Sequence, residues 1–220
     1  DGMTLDPALI PTDTAVSTYA LIRDETAERK AATFLLGDNL ERTTQGGGIY
    51  TYTSQQGAAA FRDTGSFDAA GSLSQENAEA FCRDFCKAFS YDTPIFTLDE
   101  TGSGTATAVR LWSGTPVFNA AVTFTIDQGR VLSASGALLP ETGAETSSGQ
   151  KPLSACAALT AFQQMRHASS SVVSSITEVS LCYELQSTTA APMALVPSWR
   201  IVTDTATFYV NCISGTVRRA

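Results

Sequence analysis

The stretch "VPSWRIVTDTATFYVNCISGTVRRA", residues 196–220, has the pattern of two strands joined by a turn and followed by a glycine-centred reversal. An earlier stretch, "FNAAVTFTIDQGRVLSASG" at residues 118–136, has the same layout. In both stretches hydrophobic side chains alternate with polar ones, which is typical of strands with one buried face. One chain therefore contains the same hairpin ending twice, and this indicates a repeated structural unit.

A helix is predicted ahead of each hairpin ending. In "QENAEAFCRDFCKAF", residues 75–89, hydrophobic residues recur at spacings of three and four, and Leu73-Ser74 has the pattern of a staple and N-cap. The later helix runs through Leu159, Phe162 and Met165. The strands predicted after the two helices are 93–98, 106–112 and 118–126, and then 176–185, 198–203 and 207–212.

The N-terminal part resembles a shorter copy of the same plan. Residues 14–36 are predicted to be helical, with Gly37 as the stop. A hairpin is predicted next, with strands at 49–53 and 58–62 and a turn at 55–57. The order is again a helix followed by strands.

Together these patterns predict an α+β fold of tandem helix-plus-antiparallel-sheet units, each helix covering one sheet face. The linker candidate lies in "PETGAETSSGQKP", residues 140–152, which is rich in small polar residues and lacks hydrophobic periodicity. The predicted divisions are an N-terminal helix–hairpin unit at 1–71, a second unit at 72–140, a linker at 141–152 and a third unit at 153–220.

Composition limits the class of protein and of partner. The chain has 220 residues, of which 43% are hydrophobic, and this indicates a folded globular protein. Its net charge of -8 and only 14 basic residues argue against a nucleic-acid partner, because phosphate binding needs clustered cations. No apolar run approaches the ~20 residues of a membrane-spanning helix. Because the chain opens at Asp1, we expect that an N-terminal segment was removed or omitted.

Five cysteines occur, and an odd number in a chain of this length does not indicate a disulfide framework. Two of them stand four apart on a predicted helix, where Cβ atoms are ~5–6 Å apart and too distant for a disulfide. The spacing of the others does not fit a zinc site. Free, buried thiols are the favoured interpretation. The five are Cys82, Cys86, Cys156, Cys182 and Cys212.

The patterns that carry chemistry elsewhere are weak in this chain. His167 is followed by Ser169, Ser170 and Ser171, so a serine hydrolase is the enzyme alternative. No G-x-S-x-G accompanies it, and a helix end passing into a polar loop is the favoured interpretation. Glycine-rich loops can bind phosphate, and three glycines occur at 46–48. They precede a predicted strand, not a helix, and are not followed by lysine, so they do not predict a phosphate site. We expect no enzyme activity, no cofactor and no metal.

Trp112 and Trp199 each lie on a predicted strand beside a proline-containing turn. Packing between helix and sheet is the favoured interpretation, since large aromatic side chains dominate cores. Partner contact is the alternative, because Trp and Arg are enriched at interface hot spots. Arg200 points to the opposite sheet face from Trp199, so at most one of that pair is buried. On the partner-contact alternative, the predicted partner-binding residues are Trp112, Trp199 and Arg200.

The C-terminal stretch resembles the end of PepSY-like domains, in which "(Y/F)-V-(D/N)-A-x-(T/S)-G-x-V" completes a small sheet packed on a helix. Asn211 stands where Asp is commoner and Cys212 where Ala is usual. The larger layout resembles the YycH/YycI-type proteins of Gram-positive bacteria, which contain such units in tandem. The residues that carry these likenesses are Tyr209, Val210, Asn211, Cys212, Ser214, Gly215 and Val217, together with Ala32, Leu35, Leu36, Gly37, Val196, Pro197, Trp199, Arg200 and Ile201.

This resemblance implies a PepSY-like or cystatin-like fold and a non-enzymatic regulatory role. It implies an extracytoplasmic module, anchored by an N-terminal membrane helix outside the printed chain. Its partner is then a protein, the extracytoplasmic part of a sensor histidine kinase in a two-component system. A secreted peptidase-modulating, propeptide-like domain is the alternative, and a serine hydrolase using His167 is a less favoured one.

Overall fold

The computed structural model describes residues 2–12, 16–74, 77–146, 151–169, 172–187 and 191–220. Strands hold 46% of these residues and helices 20%. The helices are a 3-10 turn (Pro7–Leu9), α1 (Glu25–Leu36), α2 (Ala78–Ala88) and α3 (Ala155–Ser169). The strands are β1 (Thr4–Leu5), β2 (Thr18–Leu21), β3 (Glu41–Thr44), β4 (Tyr50–Ser54), β5 (Gly57–Phe61), β6 (Ser66–Gly71), β7 (Ile95–Leu98), β8 (Gly104–Trp112), β9 (Thr115–Asp127), β10 (Arg130–Ala137), β11 (Ala144–Thr146), β12 (Ser175–Gln186), β13 (Met193–Thr203), β14 (Thr207–Asn211) and β15 (Val217–Arg219).

The chain forms two compact bodies. The central body consists of Leu21–Gly143 and Ser187–Met193. The terminal body is discontinuous and consists of Asp1–Ala20, Ala144–Gln186 and Ala194–Ala220. Each body has a hydrophobic core of its own.

The central body contains eight antiparallel strands in the order β3-β4-β5-β6-β10-β9-β8-β7. Helix α1 packs on β4 and β5, and α2 packs on β10. The core contains a cluster of aromatic rings among aliphatic side chains, with Phe61, Phe67, Phe85 and Phe124 all buried. Asn77 caps the N-terminus of α2, and its Oδ1 accepts a hydrogen bond from the Ala80 amide at 3.1 Å.

The outward face of the central sheet is built from small side chains. The strand register aligns Thr105, Thr125 and Ser133 in one row across β8, β9 and β10, and the next row contains Thr107 and Thr123. Threonine suits such a face, because its β-branched side chain favours strands and its hydroxyl remains hydrated.

In the terminal body β12, β13, β14 and β15 pair antiparallel in that order. Strand β1 pairs with β12 in parallel, and β2 pairs with β11 antiparallel. Helix α3 covers one face, where Phe162, Trp199, Ile201, Phe208 and Val210 form the core.

The predicted tandem helix-plus-antiparallel-sheet units are wrong. The protein is mostly mixed sheet, with 46% strand and three α-helices in the described ranges. Strand β6, at the end of the predicted unit 1–71, pairs with β10 inside the predicted unit 72–140. One core joins helix and strand residues of both predicted units. The N-terminal strand β1 pairs instead with β12, which belongs to the predicted third unit.

Several element boundaries also differ from the sequence prediction. Of the helix predicted at 14–36, residues 14 and 15 lie outside the described residues. The described helix begins at Glu25, because Asp24 caps it and accepts hydrogen bonds from the amides of Thr26 and Ala27 at 2.9 and 3.0 Å. Residues 18–21 form a strand instead. Gln75 and Glu76 of the helix predicted at 75–89 lie outside the described residues, as do 147–150 of the predicted linker. The described part of that linker contains β11.

The hairpin predictions are confirmed. Strands β9 and β10 are joined through Gln128 and Gly129, whose φ values of +48° and +76° give both central residues a left-handed conformation. This conformation matches the right-handed strand twist, and glycine adopts it without steric cost. No helix within the described ranges combines the length and the apolar character that a membrane crossing requires.

Candidate functional site

The three predicted partner-binding residues lie in different environments. Trp112 is 7% exposed and Trp199 only 2%, so both rings are buried as the packing interpretation expects. Trp199 Nε1 donates a hydrogen bond to the Leu153 carbonyl at 2.9 Å, which joins β13 to the segment before α3. Arg200 is partly exposed, and among the three only its side chain remains accessible to a partner. Its contact with a partner stays a prediction.

His167 lies in the last turn of α3 on an exposed surface. The Ser169 hydroxyl lies 3.4 Å from Met165 Sδ and 3.4 Å from the Arg166 carbonyl. Ser170 and Ser171 lie outside the described residues. The hydrolase alternative therefore stays a prediction without a described serine–histidine pair to support it.

A polar row crosses the terminal sheet on the face opposite its core. Arg200 on β13 lies between Ser180 on β12 and Tyr209 on β14, and Tyr209 lies opposite Arg218 on β15. Directly opposed residues point to the same side of a sheet. The residues between them in sequence, such as Trp199 and Val210, point into the core.

Arg200 is held in place by a carboxylate. Its Nη1 lies 2.6 Å from Glu178 Oε1, and the two side chains are 35% and 47% exposed. The pKa of Glu178 is lowered, first by a hydrogen bond from the Ser180 hydroxyl and then by Arg200. The guanidinium is thus oriented by a rigid sheet while part of it faces solvent. We call Glu178, Arg200 and Tyr209 the Arg200 surface.

A groove of about 310 Å³ begins at the Tyr209 side of this surface. Glu184 lies in it with a side chain only 8% exposed, and its Oε1 pairs with Arg218. Asn211 Nδ2 lies 3.5 Å from Glu184 Oε2. Ser198 is 1% exposed, and within the described part of the chain its hydroxyl oxygen has no hydrogen-bond partner. The lining residues include Glu184, Ser198, Tyr209, Asn211, Thr216 and Arg218.

The PepSY-like pattern of the last hairpin has a structural explanation here. Asn211 Oδ1 accepts hydrogen bonds from the amides of Ile213 and Ser214 at 2.9 Å each, which closes the turn. Gly215 has a φ of +72°, a value that favours glycine. Val210 and Val217 face the core. The pattern thus defines a turn and an inward face, and the Asn211 amide borders the groove.

Sequence reasoning missed Glu184 and Ser198. A signal was present, because Glu184 is the one carboxylate in the stretch "SLCYELQ" of β12. A charge within a largely hydrophobic strand indicates either an exposed edge or a paired, buried group. Choosing between these requires the strand neighbours, which only the structure provides.

Four of the five thiols are buried and poorly reactive. All five cysteines are free, as predicted, and all but Cys156 are buried. Burial raises the pKa of the Cys82, Cys86, Cys182 and Cys212 thiols to about 12. Since the thiolate is the nucleophile, these four are not poised for covalent chemistry near neutral pH. The prediction that every cysteine is buried is wrong at Cys156 alone.

We expect a thiol reagent at pH 8 to modify only Cys156 rapidly in the folded protein. All five thiols should react after unfolding, because the four buried thiols become hydrated and burial no longer raises their pKa values. The number of reactive thiols in the folded and in the unfolded protein can be counted with a chromogenic disulfide reagent. The Cys156→Ser protein is the control and should show no fast-reacting thiol. Two or more fast thiols in the folded wild-type protein would contradict the buried positions.

In the part of the chain that the structure describes, no three His, Cys, Asp or Glu side chains gather in a way that suits a metal ion. The chemistry that the groove and the Arg200 surface offer is hydrogen bonding and ion pairing. Both suit recognition.

No family model and no curated protein matches the sequence. Among solved structures, an uncharacterised protein from Eubacterium rectale ATCC 33656 is 12% identical, with a TM-score of 0.49 over 94% of this chain and 81% of that one. The Bacillus megaterium YpeB C-terminal domain is 14% identical, with a TM-score of 0.41 over 91% of this chain and 98% of that one. At these identities and TM-scores, the two comparisons describe a similarity in the course of the backbone and support no conclusion about function. The YycH/YycI resemblance stays a prediction.

Proposed function

We propose that the chain is a non-enzymatic binding module that recognises a protein partner through the Arg200 surface. The observation that carries this proposal is the placement of Arg200 and Tyr209 side by side on neighbouring strands, directed away from the core. Arginine and tyrosine are enriched at interface hot spots because they combine large contact area with directed hydrogen bonds.

The Arg200 surface is also organised before any partner arrives. Glu178 fixes the guanidinium at 2.6 Å, and both residues stand on long paired strands. A side chain that is already ordered loses less conformational entropy on binding. The exposed pair contributes only ~0–1 kcal/mol to stability, so its removal affects binding more than folding.

We further propose, from the resemblance of residues 196–220, that the partner is the extracytoplasmic part of a sensor histidine kinase. The module would then work outside the cytoplasm, with an anchor beyond the printed chain. The net charge of -8 favours a partner whose contact surface is basic.

The Arg200→Ala variant tests the proposal. Its affinity for purified extracytoplasmic sensor domains, measured by titration calorimetry, should be about tenfold weaker than that of the wild type, since truncating a hot spot costs above ~1 kcal/mol. Arg62→Ala is the matched control, because Arg62 forms a similar exposed pair with Asp68 at 2.6 Å in the central body. Its affinity should equal the wild-type value. The proposal fails if no sensor domain binds, or if Arg200→Ala and Tyr209→Ala bind like wild type.

A further inference from the structure

The groove beside the Arg200 surface contains a carboxylate that is largely removed from water. Glu184 is 8% exposed at its side chain, and a buried carboxylate requires a cation or several donors. Among the described residues, the cation paired with it is Arg218, which is 53% exposed. Arg218 stands on the three-residue strand β15, whose only partner among the described strands is β14. The anion is thus embedded in the sheet, whereas its cation reaches in from an exposed edge.

The groove has more acceptors than Arg218 uses. A guanidinium carries five N–H donors in a planar fork. The Ser198 hydroxyl lines the same groove, is buried and has no hydrogen-bond partner among the described residues. The register places Ser198 directly opposite Asn211, next to the pair of Arg200 and Tyr209. A donor-rich group in the groove would therefore meet a carboxylate and a second, unused oxygen.

We infer that this groove recognises an arginine side chain of the protein partner, which takes the place of Arg218 on Glu184. The inference rests on the proposed function and names the chemistry of its partner. Arg218 acts as an internal stand-in and demonstrates that a guanidinium fits this carboxylate. A groove of about 310 Å³ suits one side chain. The exchange keeps Glu184 paired throughout, because the incoming guanidinium replaces the one that leaves, and Arg218 returns to solvent from an already exposed position.

The probe is the capped peptide acetyl-Ser-Gly-Arg-Gly-Ser-amide, titrated into the full chain and followed by amide NMR shifts. The control peptide contains citrulline in place of arginine, which keeps the shape and removes the charge. The arginine peptide should shift the amides of Glu184, Ser198 and Asn211, and the citrulline peptide should not. Equal shifts with both peptides, or shifts confined to other residues, would overturn the inference. Free L-arginine should bind more weakly than the peptide. Equal affinities would indicate that the groove recognises the free amino acid and not an arginine side chain within a protein.

Two variants give the sharper test. Arg218→Ala removes the internal competitor and should tighten peptide binding about tenfold if Arg218 fills the groove ~90% of the time. Arg219→Ala is the matched control, because it removes the same charge from the neighbouring exposed position, which pairs with Phe208 and lies outside the groove lining. Its affinity should equal the wild-type value.

Glu184→Gln should abolish peptide binding. Weaker or unchanged binding by Arg218→Ala overturns the inference even if Glu184→Gln fails to fold. The proposed function is judged separately, by Arg200→Ala against sensor domains. If Arg200→Ala weakens the binding of sensor domains but the arginine peptide does not bind, the arginine-recognition inference is rejected and the proposed function stands.

Discussion

Phe85→Ala is expected to lower the free energy of unfolding by about 3–5 kcal/mol, the usual cost of truncating a buried phenylalanine. Phe85 is fully buried in the central body. Its ring centroid lies 4.7 Å from that of Phe89, 5.4 Å from Phe124 and 5.5 Å from Phe34. Truncation removes the contacts of this ring with Phe34 of α1 and Phe124 of the sheet and leaves a cavity. Urea unfolding followed by fluorescence and circular dichroism measures the loss.

The control for this variant is Ile95→Ala. Ile95 is also a hydrophobic residue of the central body, but it is 75% exposed. Its truncation should change the free energy of unfolding by less than about 0.5 kcal/mol, as is usual for surface substitutions. A loss below ~1 kcal/mol for Phe85→Ala would contradict its position in the aromatic core.

Arg110→Met is expected to cost a similar amount, about 3–5 kcal/mol, because it leaves backbone acceptors without donors. Arg110 is fully buried on β8, and burial lowers its pKa. Its Nη1 donates to the carbonyls of Ser90 and Leu111 at 2.6 Å each, and its Nη2 donates to the Leu139 carbonyl at 2.9 Å. One guanidinium therefore joins three separate stretches of backbone.

A hydrophobic replacement is often neutral at a buried ion pair, since both charges leave together. It is not expected to be neutral here, because the buried carbonyls of Leu111 and Leu139 lose these donors, although the Ser90 carbonyl keeps a hydrogen bond from the Leu111 amide at 2.8 Å. Arg110→Lys keeps the charge but lacks the planar fork, so its stability should fall between those of Arg110→Met and wild type. Arg83→Met is the control, since Arg83 lies in an exposed pair with Glu79 on α2. Wild-type stability in Arg110→Met, measured by urea unfolding, would refute the three-carbonyl role.

Local structure was predictable where the pattern that specifies it is local. The hairpin of β9 and β10 follows from alternation and a glycine turn, and both occur within a few residues. Strand pairing between distant segments was not predictable. β1 pairs with β12, about 170 positions away, and β3 with the sequence "ERTT" has no alternation to reveal it. The tandem-unit prediction failed because it assumed that neighbours in sequence share a sheet and that others do not.

The candidate site was predictable to the same extent. The opposed orientation of Trp199 and Arg200 follows from strand periodicity, and the structure confirms that the tryptophan is the buried member. The burial of Glu184 and Ser198 depends on four strands in register, which no single segment encodes. The ion pair between Arg218 and Glu184 joins β15 to β12 and could not be predicted without that register.

The discontinuity of the terminal body constrains how the protein is made. On the ribosome, β1 and β2 emerge before the central body. However, β1 can pair only after β12 has emerged and β2 only after β11, and β13 to β15 follow β12. Residues 21–143 are complete well before that, and they contain the helices and strands of the central core. Co-translational folding should therefore begin in the central body and finish in the terminal body. Until the last hairpin is released, the nascent terminal segments remain open to proteases and chaperones.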